Sequence, residues 1–512
     1  ATMSLRARKT PIRNQADTLD LIEKRERKKD LREGTNEDYS GFVSIQKVFI
    51  ILMTFSSVVG FFEYRGWNER SEQMIVSALA RSTGKNYDIG VKSNFKSLLT
   101  SEEDLALVRN RADNTTYHLV FSTDCSPFQN WQSYLLFYSA MRIRQPGHVT
   151  RIASGCKGDE IQQMQAWFQD HISGMSIRFH LHFTPQFSEI KNDRGEIIGD
   201  YKFFNKPFGV KHWMENAEYL TLHQADDIIV VIDPDMLLLR PITADFTEDR
   251  ETLFSPKRLK HILGRKVKHG LPFAQTYGFG AQWQKLDIDT IAGGDSPASR
   301  FNRDNGRLFF AVGPPYLATV KDMYQLVLKW SEFAPLVHQQ YPYLLAEMFA
   351  FCIAAAHLNL KHQIIDSLMI SDTDANGEGW PLIDKIPNEE ICDFARHPDH
   401  EKYALPSVVH MCQQYSVGSD WLFGKRQFPI NFFSCEEPLL EEPPDKLGTT
   451  LDFPKPPKAP ERLLLTPETV HREVFMVCFL TRHVNDAAIF FKKQACSGFG
   501  NYVKRGKLEK VP

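Results

Sequence analysis

The stretch IIVVIDPDMLLLRPI, residues 228–242, is an almost continuous apolar run that two carboxylates, Asp233 and Asp235, interrupt. Such a run is typical of a strand buried inside a parallel sheet. Burying one unpaired carboxylate is costly, and burying two close together is worse. Either the strand ends at Asp233 and the acids lie harmlessly in a turn, or the acids face a cationic partner.

Patterns of strand and helix alternate along the chain before this run. YHLVFSTD (117–124) has the features of a short strand, whereas NWQSYLLFYSAMRI (130–143) and GVKHWMENAEYL (209–220) have apolar residues at helical spacing. The alternation predicts βαβ units, and therefore an α/β domain with a mostly parallel sheet flanked by helices. Ligands of such sheets bind at the carboxyl ends of strands, where Asp124 and Asp233 lie.

The acidic pair suits a hard divalent cation. Pro234 stiffens the turn between the two acids, and two carboxylates on one side of a cleft leave coordination positions open for phosphate oxygens. The alternatives are a turn without metal and a haloacid-dehalogenase phosphatase motif, although this chain has Leu237 where that motif has Thr or Val. The other Asp-x-Asp pairs, at 287–289 and 372–374, lie in polar contexts and are predicted to be solvated turns.

Composition restricts the class of protein. The chain has 512 residues, 42% of them hydrophobic, so it can bury a large core, and its net charge of −2 gives no general attraction to nucleic acid. Residues 1–47 carry 11 basic and 8 acidic side chains and few apolar ones. We expect this basic head to be disordered or a loosely formed solvated helix in the cytosol.

An apolar segment follows the basic head. Residues 48–62 are uncharged, and extension back to Gly41 gives a stretch of membrane-spanning length with one charge, Lys47. The basic flank predicts a cytosolic N-terminus, a single transmembrane helix at 48–62, and a stem at 63–116 beyond the membrane. A buried core helix and a cleaved signal sequence are the alternatives.

Cysteine usage agrees with a lumenal location. All eight cysteines follow the apolar segment, and there is no Cys-x-x-Cys pair, which argues against a zinc site. An even number in an oxidising compartment predicts up to four disulfides, with the pairing undetermined. The sequon at Asn114 lies on the same predicted side of the membrane.

Residues 441–512 are predicted to be a Pro-rich linker followed by a helix. Thr466 and Pro467 suit the N-cap and the first helical position, and REVFMVCFLTRHVNDAAIFF (472–491) is strongly apolar. We expect this helix to dock on the main domain or to lie at a membrane surface.

Six stretches between residues 121 and 425 resemble, in this order, the plant and algal family of peptidyl serine α-galactosyltransferases and hydroxyproline O-arabinosyltransferases. They are FSTDCSPFQNWQ (121–132), FNKPFGVKHWME (204–215), VVIDPDMLLLRPI (230–242), FAQTYGFG (273–280), AEMFAFCIAAAHLNLKHQI (346–364) and VVHMCQQYSVGSDWLFGK (408–425). The resemblance implies a GT-A-like glycosyltransferase domain at 117–440 that uses a UDP-sugar and a divalent cation, usually Mn²⁺. It further implies a type II membrane protein of the Golgi or endoplasmic reticulum. Such a protein transfers galactose or arabinofuranose to a Ser or hydroxyproline hydroxyl of a secretory protein.

The resemblance also assigns roles to individual residues. Asp233, Asp235 and His410 match the metal ligands of such enzymes, whereas from the residues alone His410 is also compatible with a satisfied core histidine. Glu347 is expected at the reacting sugar or in a structural salt bridge, and Trp213 in the core. The residues expected to contact the donor are Asp124, Asn205, Lys206 and Lys425.

Departures from the family pattern favour galactose over arabinose. SVGSDWLFGK (416–425) is nearer to the serine galactosyltransferase pattern, and LFGKRQFPINFF (422–433) replaces the Trp-Arg-Phe-Asp-Lys-like end of the arabinosyltransferases. Family members typically retain anomeric configuration, and no pair of acids for double displacement is evident, so we expect a front-face reaction. A lumenal scaffold protein whose site has decayed is the alternative from another class. The joint presence of the metal-site acids, His410 and Lys425 argues against it.

Overall fold

The computed structural model describes residues 101–108, 466–508 and, apart from 192, 193, 221, 223 and 376, residues 115–449. The predicted basic head, the predicted anchor at 48–62, the sequon at Asn114 and most of the predicted stem lie outside the described residues.

Short strands and helices alternate through the described residues. The strands are β1 (Tyr117–Asp124), β2 (His148–Ser154), β3 (Phe179–Thr184), β4 (Glu189–Lys191), β5 (Ile197–Asp200), β6 (Ile228–Ile232), β7 (Met236–Leu238), β8 (Phe273–Thr276), β9 (Val312–Thr319), β10 (Gln363–Ile365), β11 (Met369–Ile370), β12 (Val408–His410), β13 (Gln414–Val417), β14 (Trp421–Gly424), β15 (Leu439–Leu440) and β16 (Lys504–Gly506). The α-helices are α1 (Ser101–Leu105), α2 (Pro127–Arg142), α3 (Asp159–His171), α4 (Asn205–Asn216), α5 (Arg250–Leu253), α6 (Pro256–Leu259), α7 (Ile288–Ala292), α8 (Arg303–Phe309), α9 (Val320–Gln340), α10 (Ala346–His357), α11 (Trp380–Ile383), α12 (Ile391–Arg396) and α13 (Pro467–Ala495). Short 3₁₀ helices lie at Lys202–Phe204, Gln282–Lys285 and Pro297–Arg300.

A seven-stranded sheet forms the centre, in the order β10-β8-β9-β6-β1-β2-β3. β9 runs antiparallel to its neighbours β6 and β8, and the remaining pairs are parallel. The predicted α/β architecture with a mostly parallel sheet is therefore confirmed. β6, which leads into the acidic pair, lies in the middle of the sheet between β1 and β9.

Both faces of β6 are buried, which explains its uninterrupted apolar sequence. Ile228, Val230 and Ile232 belong to a hydrophobic cluster shared with α2 and α13, whereas Ile229 and Val231 belong to a second cluster shared with α4, α9 and α10. Because successive side chains of a strand point to opposite faces, a strand covered on both sides requires an apolar residue at every position.

The C-terminal helix α13 docks on the main domain, one of its two predicted placements. Thr466 caps it as predicted, accepting a hydrogen bond from the Thr469 amide at 3.1 Å, with Pro467 at the start of the helix. Among the described helices it is the one long and apolar enough to cross a membrane, with a mean hydropathy of 1.4, but 72% of that apolar window is buried against the rest of the protein.

Three disulfides lie within the described residues. Cys125 pairs with Cys156 at the ends of β1 and β2, Cys392 with Cys478 between α12 and α13, and Cys435 with Cys496 after α13. Cys352 and Cys412 remain free thiols. Disulfides are therefore present, within the predicted limit of four.

Candidate metal centre and active site

The turn after β6 carries the acidic pair. The Asp233 carbonyl accepts a hydrogen bond from the Met236 amide at 3.1 Å, which closes the turn and starts β7 at once. β7 then pairs antiparallel with β12, and in this register Met236 lies opposite His410. The strand pairing therefore brings a histidine from the last third of the chain beside Asp235.

Asp233, Asp235 and His410 converge. Each offers one potential ligand atom, and these atoms lie within 4.8 Å of one another. His410 Nε2 lies 3.2 Å from Asp235 Oδ1. Two carboxylates and an imidazole form a donor set that divalent cations such as Mn²⁺ accept while retaining positions for substrate oxygens. The residues predicted as metal ligands thus fit a divalent cation.

Lys425 contacts the same acid from another side. It follows β14 directly, and its Nζ pairs with Asp235 Oδ2. Burial by itself raises the pKa of the Asp235 carboxyl, but the positive Lys425 and the His410 imidazole outweigh this effect and hold the pKa well below its usual value. Asp235 is therefore ionised and available as a ligand at neutral pH.

Lys206 connects Asp233 with Glu347. Its Nζ, at the start of α4, lies 2.7 Å from Asp233 Oδ1 and 2.7 Å from Glu347 Oε1 in the first turn of α10. Burial raises the pKa of Glu347, although Lys206 opposes the effect. For Lys206, burial favours a lower pKa, but the two carboxylates prevail and the pKa lies above its usual value. The three groups form a chain of alternating charge that runs from the buried Glu347 to the metal centre.

Asp124 lies at the same edge of the sheet because β1 and β6 run parallel, with Phe121 opposite Ile232. Its carboxylate accepts hydrogen bonds from the amide of Ser126 at 2.9 Å and from the hydroxyl of Ser126 at 2.5 Å. It therefore shapes the turn at the Cys125 disulfide, and it is partly exposed toward the edge.

Asn205 directs its side chain into the protein. It is 4% exposed, its Oδ1 accepts from the Phe187 amide at 2.9 Å, and its Nδ2 donates to Gln186 Oε1 at 3.3 Å. The amide thus fixes the loop after β3 to the start of α4, which places Lys206. Trp213, expected in the core, is fully buried.

Two tyrosines near the site were not predicted from the sequence. The Tyr415 hydroxyl donates to the His410 carbonyl at 2.9 Å and fixes the end of β12. Tyr277 packs on Gly313, where an added Cβ would lie 2.3 Å from the tyrosine ring. Burial, followed by the charge of Asp233, raises the pKa of Tyr277 well above its usual value. Both tyrosines belong to stretches that carry the family resemblance, which is the signal that identifies them.

The other Asp-x-Asp pairs lie in turns. Asp287 caps α7 by accepting from the Thr290 amide at 3.1 Å, in an exposed position as predicted. Asp372 differs from the prediction of a solvated turn, because it is partly buried and burial raises its pKa. Its partner Asp374 accepts a hydrogen bond from Thr469 of α13 at 3.0 Å, so this turn anchors the C-terminal helix.

Two curated proteins are similar to this chain, and both are named peptidyl serine alpha-galactosyltransferase. The protein from Arabidopsis thaliana is 26% identical over 357 residues, which cover 67% of this chain and 35% of the relative. The protein from Chlamydomonas reinhardtii is 24% identical over 371 residues, covering 68% of this chain and 40% of the relative. The predicted resemblance is therefore confirmed, and it supports a glycosyltransferase role.

The matched region is less than half the length of either relative. No protein-family model matches the chain.

Proposed function

We propose that this chain is a metal-dependent glycosyltransferase that moves galactose or arabinofuranose from a UDP-sugar to a serine or hydroxyproline hydroxyl of a protein acceptor. The observation that carries the proposal is the convergence of Asp233, Asp235 and His410 at the carboxyl edge of the sheet. Galactose and serine are the first choice, because both curated relatives are named for that transfer.

Asp233, Asp235 and His410 would hold a divalent cation, most simply Mn²⁺. When bound, such a cation neutralises the charge that develops on the diphosphate as the bond between sugar and phosphate breaks. Lys425, with 24% of its side chain exposed, supplies a second positive charge at the same place.

Lys206 is the group in this proposal that faces the reacting sugar, with 11% of its side chain exposed. Glu347 has two expected roles, at the reacting sugar and in a structural salt bridge; its side chain is 2% exposed and forms the salt bridge with Lys206. Glu347 therefore acts through the lysine as a positioning residue. Glu347 is covered and Asp233 is assigned to the cation, so neither carboxylate serves as the nucleophile of a double displacement. The proposed course is therefore a front-face reaction with retained configuration.

The proposed location is the lumen of the Golgi or endoplasmic reticulum, with one membrane helix at 48–62. Three disulfides support an oxidising compartment. The predicted anchor and its basic flank support a type II orientation.

A donor screen tests the proposal. The full chain is incubated with UDP-galactose, UDP-arabinofuranose or UDP-glucose, and with serine or hydroxyproline peptides, in Mn²⁺ or in chelator. Mass spectrometry should show a glycosylated peptide that requires Mn²⁺. Folded protein that neither transfers nor hydrolyses any donor, and that UDP with Mn²⁺ does not stabilise, would indicate the scaffold alternative. Phosphate release without a nucleotide requirement would indicate the phosphatase.

A further inference from the structure

A cavity lies at the end of β7 that is farther from the acidic pair. Its volume is about 260 Å³, and its walls come from the end of α2, from the last residue of β7 and residues 239–241 after it, from the end of α12 and the residues that follow, and from α13. Asp233 and Asp235 precede β7, whereas the wall residues in this part of the chain begin at Leu238, the last residue of β7. The cavity is therefore separate from the metal centre.

The walls of this cavity are basic. Arg142, Arg240 and Arg396 line it together with His400 and the neutral imidazole of His483, and none of the lining residues, all within the described part of the chain, is acidic. A cavity lined by one sign of charge concentrates the potential inside it. Such a cavity attracts anions.

Several polar atoms at the cavity are buried without a hydrogen bond. Arg240 donates from Nη1 to Asp249 at 2.9 Å, but its Nε has no hydrogen-bond partner. Arg396 Nε also lacks one, with Glu442 Oε2 at 4.0 Å, whereas its Nη1 pairs with Asp445 and its Nη2 donates to the Pro443 carbonyl. His483 Nε2 is a third such atom, in a side chain that is 3% exposed. Buried polar atoms without partners are rare in folded proteins, so three of them at one cavity indicate that water or a ligand supplies the missing hydrogen bonds there.

Each of the three cavity arginines has an acidic partner outside the lining: Arg142 has Asp486, Arg240 has Asp249 and Arg396 has Asp445. Arg142 lies 3.4 Å from Asp486, but Asp486 is also paired with Arg482 at 2.9 Å. One carboxylate thus serves two guanidinium groups, and Arg142 is free to turn toward an anion at little cost.

We propose that this cavity binds a small phosphate ligand, either inorganic phosphate or a phosphate ester. The guanidinium groups of Arg142 and Arg240 and the Nε of Arg396 donate to its anionic oxygens, because the planar fork of N–H donors in a guanidinium matches the oxygens of a phosphate. His483 donates to the Leu135 backbone, so its Nε2 accepts from a hydroxyl of the ligand. Ile143, Leu238 and Phe479 complete the walls with apolar surface.

The size of the cavity limits the ligand. Drug-sized ligands occupy pockets of roughly 300–1,000 Å³. A cavity of about 260 Å³ therefore suits a phosphate with a small organic group and is too small for a whole UDP-sugar. The site is accordingly not a second donor site, and the proposal does not depend on the glycosyltransferase assignment.

Titration calorimetry on the full chain tests the proposal, with chelator present so that no cation at the metal centre contributes. The probes are inorganic phosphate, O-phosphoserine, galactose 1-phosphate and sulfate at constant ionic strength. We expect saturable binding of phosphate or of an ester, and the tighter of the two identifies the source of the phosphate group. Arg142→Gln and Arg240→Gln should each weaken that binding about tenfold or more, because each removes a charge-assisted hydrogen bond.

Two control variants complete the design. Arg303→Gln removes an equal charge from an exposed site elsewhere. Lys425→Gln removes the ammonium group that pairs with Asp235 at the metal centre. Both variants should bind phosphate like the unmodified protein. Arg142→Gln is the decisive variant because Asp486 keeps Arg482 as a partner and the fold is preserved. Unchanged binding in Arg142→Gln, loss of binding in Lys425→Gln, equal affinity for sulfate, or no binding at millimolar phosphate would each overturn the proposal.

Discussion

His410 Nε2 lies 3.2 Å from Asp235 Oδ1. Both side chains are largely buried, at 11% and 8% exposure, so water screens the interaction little. The contact results from the pairing of β12 with β7, which joins the turn after the central strand to a much later part of the chain. This relationship makes the acidic pair a candidate metal centre.

Asp235→Asn should abolish stabilisation by Mn²⁺ and UDP and reduce glycosyl transfer by at least about 100-fold, because an amide is a much poorer ligand for a hard cation. Without metal, the variant should lose ~1–3 kcal/mol of unfolding free energy, since Lys425 keeps its charge but loses its carboxylate partner. Thermal melts with and without Mn²⁺ and UDP, together with transfer assays, measure both effects.

The matched control is Asp304→Asn, which removes an exposed carboxylate from α8. It should retain both the activity and the Mn²⁺-dependent shift of the melting midpoint. Equal activity of Asp235→Asn and the unmodified protein would contradict the metal role of Asp235.

Lys206→Met should lower the free energy of unfolding by about 3–5 kcal/mol. The substitution leaves Asp233 and Glu347, which are 19% and 2% exposed, without the ammonium group that lies 2.7 Å from each. Urea unfolding at neutral pH measures the loss.

Glu347→Gln, alone and combined with Lys206→Met, supplies the control. The double variant Lys206→Met/Glu347→Gln should be less destabilised than the sum of the single losses, because the second change removes one of two repelling carboxylates. Strictly additive losses would show that Lys206 does not couple the two acids.

Stability should fall as the solution is acidified below about pH 6.5. His118, His148 and His180 lie on adjacent strands, with His148 Nδ1 2.8 Å from His180 Nε2, and Asp227 and Arg178 face the cluster. Burial, and then the neighbouring histidines, lowers the pKa of His148 to about 3. Burial together with His118 and Arg178 lowers the pKa of His180 to about 4.

The sign follows from proton uptake. Between the unfolded pKa near 6.5 and these lower folded values, the unfolded chain binds protons that the folded protein does not. Each of the two histidines should therefore lower the free energy of unfolding by about 1 kcal/mol as the pH falls from 7.5 to 5.5. His148→Gln should flatten the dependence in urea titrations at a series of pH values, whereas His397→Gln, at an exposed histidine, should not. An identical slope for His148→Gln would refute the assignment.

Loss of the Cys392–Cys478 disulfide should loosen α13. The bond closes a separation of 86 residues between α12 and α13, and removal of a disulfide of this kind costs about 2–5 kcal/mol. The paired Cys392→Ala/Cys478→Ala variant should melt earlier, and amide exchange should increase first in α13. Cys412→Ser, which changes an exposed free thiol, should melt like the unmodified protein. A melting midpoint unchanged by the paired substitution would contradict the proposed anchoring.

Local sequence was sufficient for the elements themselves. Each of these elements is predicted by residues that are close together in the chain. The signals are the apolar residues of β6, the helical spacing in α2 and α4, and Thr466 before Pro467. Burial was harder to predict. The polar sequence around Asp372 predicts a solvated turn, but α13 packs against that turn. Burial of a turn by an element that is distant in the chain is not visible in the sequence of the turn itself.

The sequence by itself determined that a central strand buried on both faces ends in two carboxylates, because the alternation of side chains requires apolar residues at each buried position and marks where burial ends. The tertiary structure decided which groups meet those carboxylates. His410 and Lys425 reach Asp235 through the β12–β7 pairing and the β-hairpin that follows it, and Glu347 reaches Asp233 through Lys206. Strand pairing and helix packing join residues far apart in the chain, and a single sequence does not specify those registers locally.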